Sequence, residues 1–159
     1  MQQAAQLLLV RQGRVLLTRH AEGAFAGRFT ALFTLQQPGE RPAAAAVRAA
    51  AAVGLRVAEG SVAHRATFVF TEADGSRLEE RAFVCADNVG EAGEPTPTAA
   101  LQPAWFALAD IPYGNMPADD AVWYPRLLLN GSRALLRGAF AFDAANALTH
   151  AECYEVDTL

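Results

Sequence analysis

The side chains best suited to bind a metal ion or a phosphate between Gly39 and Leu55 are Glu40 and Arg48, which flank a run of alanines. Magnesium is usually held in proteins by one or two carboxylates together with substrate phosphates. From Pro42 to Val53 the sequence offers no carboxylate. The stretch therefore has the outline of a catalytic segment without its acidic groups, and we favour a plain salt bridge between Glu40 and Arg48.

Histidine, serine and cysteine give no second catalytic pattern. The histidines lack the spacing of metal ligands, and the serines lack the sequence context of a nucleophile elbow. Cys85 stands in a strand pattern, which is typical of a buried and inert thiol. These histidines and serines are His20, His64, His150, Ser61, Ser76 and Ser132.

The alanine run itself predicts a short helix. Pro42 suits the first helical position, where its missing N–H would have no partner in any case. Alanine has the highest helix propensity, and Gly54 is a plausible stop. From composition alone, this helix would be a filler that packs closely on a sheet.

Strand patterns dominate the rest of the chain. Asp74-Gly75 is a strong hairpin signal, and Phe68 and Phe70 alternate on one face of the strand before it. A second helix is predicted to start at Asp119 or Asp120, either of which could cap it, and to run to about Asn130. Predicted strands or extended segments are residues 5–10, 14–18, 29–35, 55–57, 67–71, 78–86, 105–108, 137–143 and 151–156. We predict an α+β domain with helices flanking a mixed sheet.

Length and composition set limits on the class of protein. A chain of 159 residues predicts a single domain, residues 1–159, with a substantial core. A formal charge of −4 gives no sign of a nucleic-acid surface. Cys85 and Cys153 are too few for a disulfide scaffold, which favours a reducing, cytoplasmic location. The apolar N-terminal run lacks a cationic start and reads as a strand, so we expect neither a signal peptide nor a membrane span.

Motifs along nearly the whole chain carry a family resemblance. They are Ala26-Gly27-Arg28, Gly39-Glu40, Val47-Arg48, Gly54-Leu55, Gln102 to Phe106, Asp110-Ile111-Pro112, Met116, Asp119-Asp120, Trp123-Tyr124-Pro125, Leu127 to Leu129 and Glu155 to Thr158. In this order they resemble the Nudix superfamily, and within it the mammalian-type hydrolases that cleave oxidised purine nucleoside triphosphates. The resemblance implies the Nudix fold, a mixed β-sheet flanked by helices in an α/β/α sandwich.

The resemblance also implies a chemistry, which this chain matches only in part. Family members bind magnesium through glutamates, and water then attacks the phosphate bridge to release pyrophosphate. Here Ala49 stands where the family has the glutamate after the arginine, and Phe33-Thr34 replaces a Gly-Gly pair. The segment from Arg48 to Gly54 is one residue shorter than the family pattern, and the loop Pro97 to Ala100 lacks the family's acid.

The base pocket implied by the resemblance is better kept. Asp119 and Asp120 match a pair that reads the purine edge, Thr30 replaces an asparagine, and Phe68 and Phe70 match pocket aromatics. The family's stacking tryptophan beside Met116 is absent, since Pro117 stands there. Helix capping for the two aspartates, and a place in the core for the two phenylalanines, explain these residues equally well.

Three functions follow as hypotheses. The chain could be a catalytically impaired Nudix-fold protein that binds a purine nucleotide or a related small molecule. It could instead be an active Mg²⁺-dependent hydrolase that uses acids elsewhere, such as Glu22, Glu79 or Glu80. It could also be a scaffold or homodimer module with no small ligand. We expect no cofactor under the first hypothesis and Mg²⁺ under the second.

Overall fold

In the computed structural model, which describes residues 1–86, 89–129 and 131–159, the chain forms strands and two α-helices. The strands are β1 (Gln2–Arg11), β2 (Arg14–His20), β3 (Phe29–Thr30), β4 (Leu32–Leu35), β5 (Ala63–Thr71), β6 (Arg77–Cys85), β7 (Leu101–Ala107), β8 (Leu135–Phe142) and β9 (Leu148–Val156). The helices are α1 (Pro42–Ala51) and α2 (Asp120–Leu128). Short 3-10 turns cover Glu59–Ser61, Val89–Ala92, Leu108–Asp110 and Tyr113–Asn115. No helix of these described ranges is long and apolar enough to cross a membrane.

The strands pair as a mixed sheet in the order β3-β2-β1-β6-β5-β8-β9, with β4 also on β1 and β7 also on β2. The pairs β1/β6 and β5/β8 are parallel, and the remaining pairs are antiparallel. The predicted hairpin at Asp74-Gly75 is confirmed, because β5 and β6 are antiparallel on either side of it. The predicted mixed sheet is confirmed as well.

Alternation along β1 divides the interior into two cores. Leu7 and Leu9 pack in the core that includes α1, whereas Leu8 packs in the core that includes α2. Because successive side chains of a strand point to opposite faces, Gln6 falls on the α2 side with Leu8. The sheet is thus covered by one helix on each face, and a polar residue of its central strand lies under α2.

Helix α1 packs on the sheet through small side chains. Ala45, Ala46, Ala49 and Ala50 are all buried in the core on that face. Alanine lets the helix approach the strands closely, so the prediction of a packing helix is confirmed. The start at Pro42 is confirmed too.

The end of α1 is closed by a Schellman motif. Gly54 has a φ of +79°, its N–H donates to the carbonyl oxygen of Ala51 at 3.0 Å, and the N–H of Leu55 donates to Ala50 at 3.1 Å. The predicted stop at Gly54 is therefore confirmed. The segment from Leu55 to Val57, expected to be extended, belongs to no strand of the sheet: it lies in a loop, and the side chains of Leu55 and Val57 are buried.

One continuous strand from Phe29 to Leu35 was also the wrong prediction. The chain breaks at Ala31, so that β3 pairs with β2 and β4 pairs with β1. At the break, the N–H of Ala31 donates to the hydroxyl oxygen of Tyr124 at 3.2 Å. A side chain from α2 thus satisfies a backbone group that has left the sheet.

The remaining boundaries differ modestly from the predictions. Helix α2 ends at Leu128, and the predicted end at Asn130 lies outside the described residues. The short strand predicted at Trp105 begins earlier, at Leu101, because this segment pairs along the whole of β2. Cys85 is buried, as expected.

Candidate functional site

Three carboxyl groups meet in a pocket on the α2 face of the sheet. Glu80 comes from β6, Asp119 directly precedes α2, and Asp120 is the first residue of that helix. Their side chains are nearly inaccessible, at 4%, 3% and 2% exposure. We call Glu80, Asp119 and Asp120 the acidic cluster.

The acidic cluster holds protons that ordinary carboxylates lose. Burial raises the pKa of Glu80 to about 8, and the charge of Asp119 adds to this rise. Burial, followed by the charges of Asp119 and Glu80, raises the pKa of Asp120 well above its ordinary value, and its carboxyl donates a hydrogen bond to Asp119. Like charges this close cannot all be ionised. Near neutral pH the cluster therefore presents both O–H donors and carboxylate acceptors.

A chain of hydrogen bonds fixes Glu80 in the pocket floor. The hydroxyl of Tyr124 donates to Gln6 Oε1, and Gln6 Nε2 donates to Glu80 Oε1 at 3.0 Å. Tyr124 in turn accepts the N–H of Ala31. The break between β3 and β4, the centre of β1 and helix α2 thus all contribute to the orientation of one carboxyl.

Neither aspartate acts as a side-chain cap of α2. The helix has no side-chain cap hydrogen bond at its N-terminus. Asp119 Oδ2 instead accepts the indole N–H of Trp123 at 2.8 Å. Burial raises the pKa of Asp119, and this hydrogen bond acts in the opposite direction. The capping interpretation is wrong, because Trp123, one turn further on, takes the carboxylate that could have capped the helix.

Aromatic side chains form the walls of the pocket. Phe70 lines it together with residues that the sequence analysis did not assign to it, namely Phe25, Phe33, Leu78, Phe142 and Asn146. Phe68 does not line it: this side chain is fully buried, with its ring 4.9 Å from that of Trp123 and 5.4 Å from that of Phe140. Of the two predicted pocket aromatics, Phe70 forms part of the wall, and Phe68 packs behind it in the core.

Thr30 lies in the pocket wall with its hydroxyl already engaged. The Oγ1 donates to the carbonyl oxygen of Ala31 at 2.7 Å and lies 2.7 Å from His20 Nε2. Burial, followed by the charge of Arg28, lowers the pKa of His20. A neutral imidazole with its proton on Nε2 satisfies both bonds, so Thr30 offers no spare donor to a ligand in this arrangement.

Glu40 and Arg48 form the salt bridge that the sequence analysis favoured. Arg48 Nε donates to Glu40 Oε1 at 2.8 Å, its Nη2 donates to Oε2 at 2.9 Å, and its Nη1 donates to Thr34 at 3.1 Å. The Gln37 N–H also donates to Oε2, at 2.8 Å. The hydrogen bonds from Arg48 and Gln37 lower the pKa of Glu40 to about 2. Both carboxylate oxygens are therefore committed to holding the loop before α1.

The residues around α1 do not fit a magnesium site. Ala49 is 5% exposed and offers no oxygen ligand. Within residues 1–86, 89–129 and 131–159, no group of three or more His, Cys, Asp or Glu could hold a metal ion. Of the alternative acids, Glu79 is paired with Arg81 at 2.8 Å, Glu22 is exposed, and Glu80 belongs to the acidic cluster.

The sequence did not identify Gln6 as a site residue, and it suggested Glu80 only as a possible metal ligand. The hairpin signal could have placed Glu80, because the turn at Asp74-Gly75 sets Glu80 opposite Phe68 and Leu78 opposite Phe70. An acidic residue on the same face of the sheet as two buried phenylalanines indicates a polar site. No local signal marks Gln6, whose position depends on its parallel pairing with β6.

Comparisons with known proteins identify sequences that are similar to this chain. The family model described as the NUDIX domain matches residues 1–127. The chain is 32% identical over 155 residues to the oxidized purine nucleoside triphosphate hydrolase of Danio rerio, which spans 96% of this chain and 94% of that protein. It is 30% identical over 154 residues to the Mus musculus protein of the same name, with the same coverage.

Solved structures share the fold at lower identity. The Mutator MutT protein from Bacillus halodurans superposes with a TM-score of 0.77 at 17% identity, covering 96% of this chain and 97% of that one. A NUDIX hydrolase from Nitrosomonas europaea gives a TM-score of 0.62 at 18% identity, covering 88% and 78%. The predicted α+β architecture, a mixed sheet flanked by helices, is thereby confirmed.

Proposed function

Because this chain belongs to the Nudix family, we propose that it binds a purine nucleotide with the base against the acidic cluster, and that it hydrolyses nucleotides poorly or not at all. The observation that carries the proposal is the contrast between two faces of one sheet. The α2 face holds a built pocket with three buried carboxyls. The α1 face, where the family resemblance placed the metal ligands, holds buried alanines.

Purine binding is supported by the chemistry of the pocket. A purine presents ring nitrogens and exocyclic groups that are a mixture of hydrogen-bond donors and acceptors. The acidic cluster offers both kinds of partner, since Glu80, whose pKa is raised to about 8, keeps an O–H donor near neutral pH, while Asp119 is an acceptor. Phe25, Phe33 and Phe70 offer flat apolar surface to a ring, and stacking on aromatic side chains tolerates any base.

Impaired hydrolysis is supported by the side chains of the α1 region. A magnesium ion that neutralises phosphate charge needs oxygen ligands from the protein. Pro42 to Val53 contains no carboxylate, and Glu40 gives both of its oxygens to Arg48 and Gln37. A magnesium ion beside α1 would therefore meet alkyl groups where catalysis requires carboxylates.

An active Mg²⁺-dependent hydrolase that releases pyrophosphate from nucleoside triphosphates is the second candidate. It is favoured by the names of the fish and mouse relatives, which are oxidized purine nucleoside triphosphate hydrolases. Under this alternative the metal would be held chiefly by the substrate phosphates. The scaffold or homodimer hypothesis would be supported only if no nucleotide bound.

Two assays separate these functions. Thermal unfolding is followed with purine and pyrimidine nucleotides in the absence of metal, because a ligand that binds only the folded state raises the melting temperature. Pyrophosphate release is then measured with Mg²⁺ or Mn²⁺ over a panel of deoxynucleoside triphosphates, 8-oxo-purines included. We expect stabilisation by purine nucleotides and no turnover. Rapid turnover would favour the hydrolase, and a flat stability screen would remove nucleotide binding altogether.

A further inference from the structure

Glu80 is an unusual residue for its place in the fold. It lies in the middle of β6, paired with Phe68 on one side and Ala4 on the other, and points into the α2 face. A carboxyl in such a position is costly unless it is hydrogen-bonded. The chain supports it through Gln6 and Tyr124, but that chain of bonds reaches only Oε1. No described residue donates to Oε2, so this oxygen remains for a ligand.

The acidic cluster has fewer cations around it than carboxyl groups. None of its three members forms a salt bridge with any residue in the described parts of the chain. Arg28 is the guanidinium that acts on Asp119 and Asp120, where it lowers the pKa against the larger effect of burial. Arg28 itself is held at the pocket wall, donating to the Ala24 carbonyl oxygen at 3.1 Å and lying 5.6 Å from the centre of the Phe25 ring. One cation thus faces three acids.

We infer that Glu80 is a specificity-determining residue, and that it makes this pocket select purine nucleotides whose base carries a positive charge, such as N7-alkylated guanine nucleotides. This inference rests on the proposed purine binding and adds the charge of the base. A cationic base supplies the charge that the cluster lacks, and it strengthens the N–H donors that face the carboxylates.

The aromatic walls favour the same ligand. Phe25, Phe33, Phe70 and Phe142 surround the space above the acidic cluster. A cation close to the face of a phenyl ring is attracted by its quadrupole, and more strongly where water is excluded. A flat ring that carries positive charge is therefore attracted both by the aromatic walls and by the acidic cluster at the floor. A neutral purine gains only stacking energy from the walls.

Protonation provides an independent signature. Burial raises the pKa values of Glu80, Asp119 and Asp120, and that of Glu80 to about 8, so the Glu80 carboxyl keeps a proton near neutral pH. A cationic base stabilises the ionised forms, so its binding expels protons to the buffer. The other charged or titratable groups near the cluster are Arg28 and Glu72, which line the pocket, and Tyr113 and Tyr124, whose pKa values are raised by burial and by the charge of Asp120. Of the acids, those of the cluster are the ones whose pKa is raised, so we attribute the proton release to them.

The test compares 7-methylguanosine monophosphate with guanosine monophosphate by isothermal titration calorimetry in two mildly acidic buffers of different ionisation enthalpy, where the methylated base keeps its N1 proton and therefore its positive charge. We expect the methylated nucleotide to bind about tenfold more tightly and to release more protons. Glu80→Gln should bring the affinity ratio close to one. Glu79→Gln is the matched control, since Glu79 is the neighbouring acid of β6 but is paired with Arg81 on the opposite face.

Each outcome decides between the two proposals. Equal affinity of the parent for both nucleotides, or an unchanged ratio in Glu80→Gln, overturns the role of Glu80 and leaves purine binding intact. Binding of neither nucleotide overturns purine binding itself, and the inference with it. If Glu80→Gln does not fold, the affinity ratio and the proton release of the parent protein still decide the preference for a cationic base.

Discussion

Ala49→Glu restores a carboxyl at the position where the family resemblance places a glutamate, and we expect it to destabilise the protein severely. Ala49 is 5% exposed and packs in the same core as Ala45, Ala46 and Ala50. A glutamate there must either bury its carboxyl against the sheet or push α1 away from it. In our account this face of α1 is a packing surface, so both options are costly.

The size of the loss follows from the behaviour of a buried carboxyl in this same sheet. Burial raises the pKa of Glu80 to about 8 from its ordinary value of 4.5. A carboxyl that must stay protonated at pH 7 costs about 3 kcal/mol, at about 1.4 kcal/mol for each pKa unit. Overpacking by the extra side-chain atoms adds about 1–3 kcal/mol. We therefore expect a loss of about 4–6 kcal/mol in the free energy of unfolding, which approaches the whole stability of a typical domain.

Urea denaturation at several pH values measures this loss. Ala52→Glu is the matched control, because Ala52 is exposed in the turn after α1 and should change stability by less than about 0.5 kcal/mol. A buried glutamate binds its proton more tightly in the folded state, so the deficit of Ala49→Glu should grow as pH rises above the ordinary glutamate pKa. A loss below about 1 kcal/mol at pH 7 would mean that the new side chain reaches water, and it would refute α1 as a closed packing surface.

Three further changes probe the pocket. Tyr124→Phe removes the hydroxyl that joins Gln6 to the Ala31 N–H, and it leaves a buried donor without its partner. Urea denaturation should show a loss of about 1–3 kcal/mol in the free energy of unfolding. The exposed control Tyr154→Phe should lose almost none. Asp119→Asn keeps an oxygen for Trp123 but loses an anionic acceptor, so calorimetry should show weaker purine binding with little change in melting temperature, and unaltered affinity would remove its role in recognition. Glu80 binds its proton more tightly when folded, so stability should fall as pH rises from its ordinary pKa of 4.5 towards about 8; Glu80→Gln should flatten this dependence in pH-resolved denaturation, and an unchanged slope would contradict it.

Local signals predicted the parts of the fold that local physics controls. The proline start and glycine end of α1, and the hairpin at Asp74-Gly75, depend on backbone preferences of a few residues. The break at Ala31 depends on Tyr124, which lies 93 residues further along the chain. No pattern near Ala31 could have indicated it.

The sequence predicted which residues form part of the candidate site better than it predicted what each of them does. Asp119 and Asp120 were placed together from sequence, but propensity alone could not exclude capping, which fails because Trp123 competes for the carboxylate. Glu80 was interpreted as a possible metal ligand, since its sequence shows an acid but not the face of the sheet that the acid occupies. Strand pairing places it in the pocket.

The central claim is that the protein binds purine nucleotides without hydrolysing them. The most direct measurement is a calorimetric titration of a purine nucleoside triphosphate into the protein in the presence of Mg²⁺, followed by chromatography of the same sample. Our account predicts saturable binding, weakened by Asp119→Asn, with the triphosphate recovered intact. Recovery of monophosphate and pyrophosphate in amounts well above the protein concentration would contradict it.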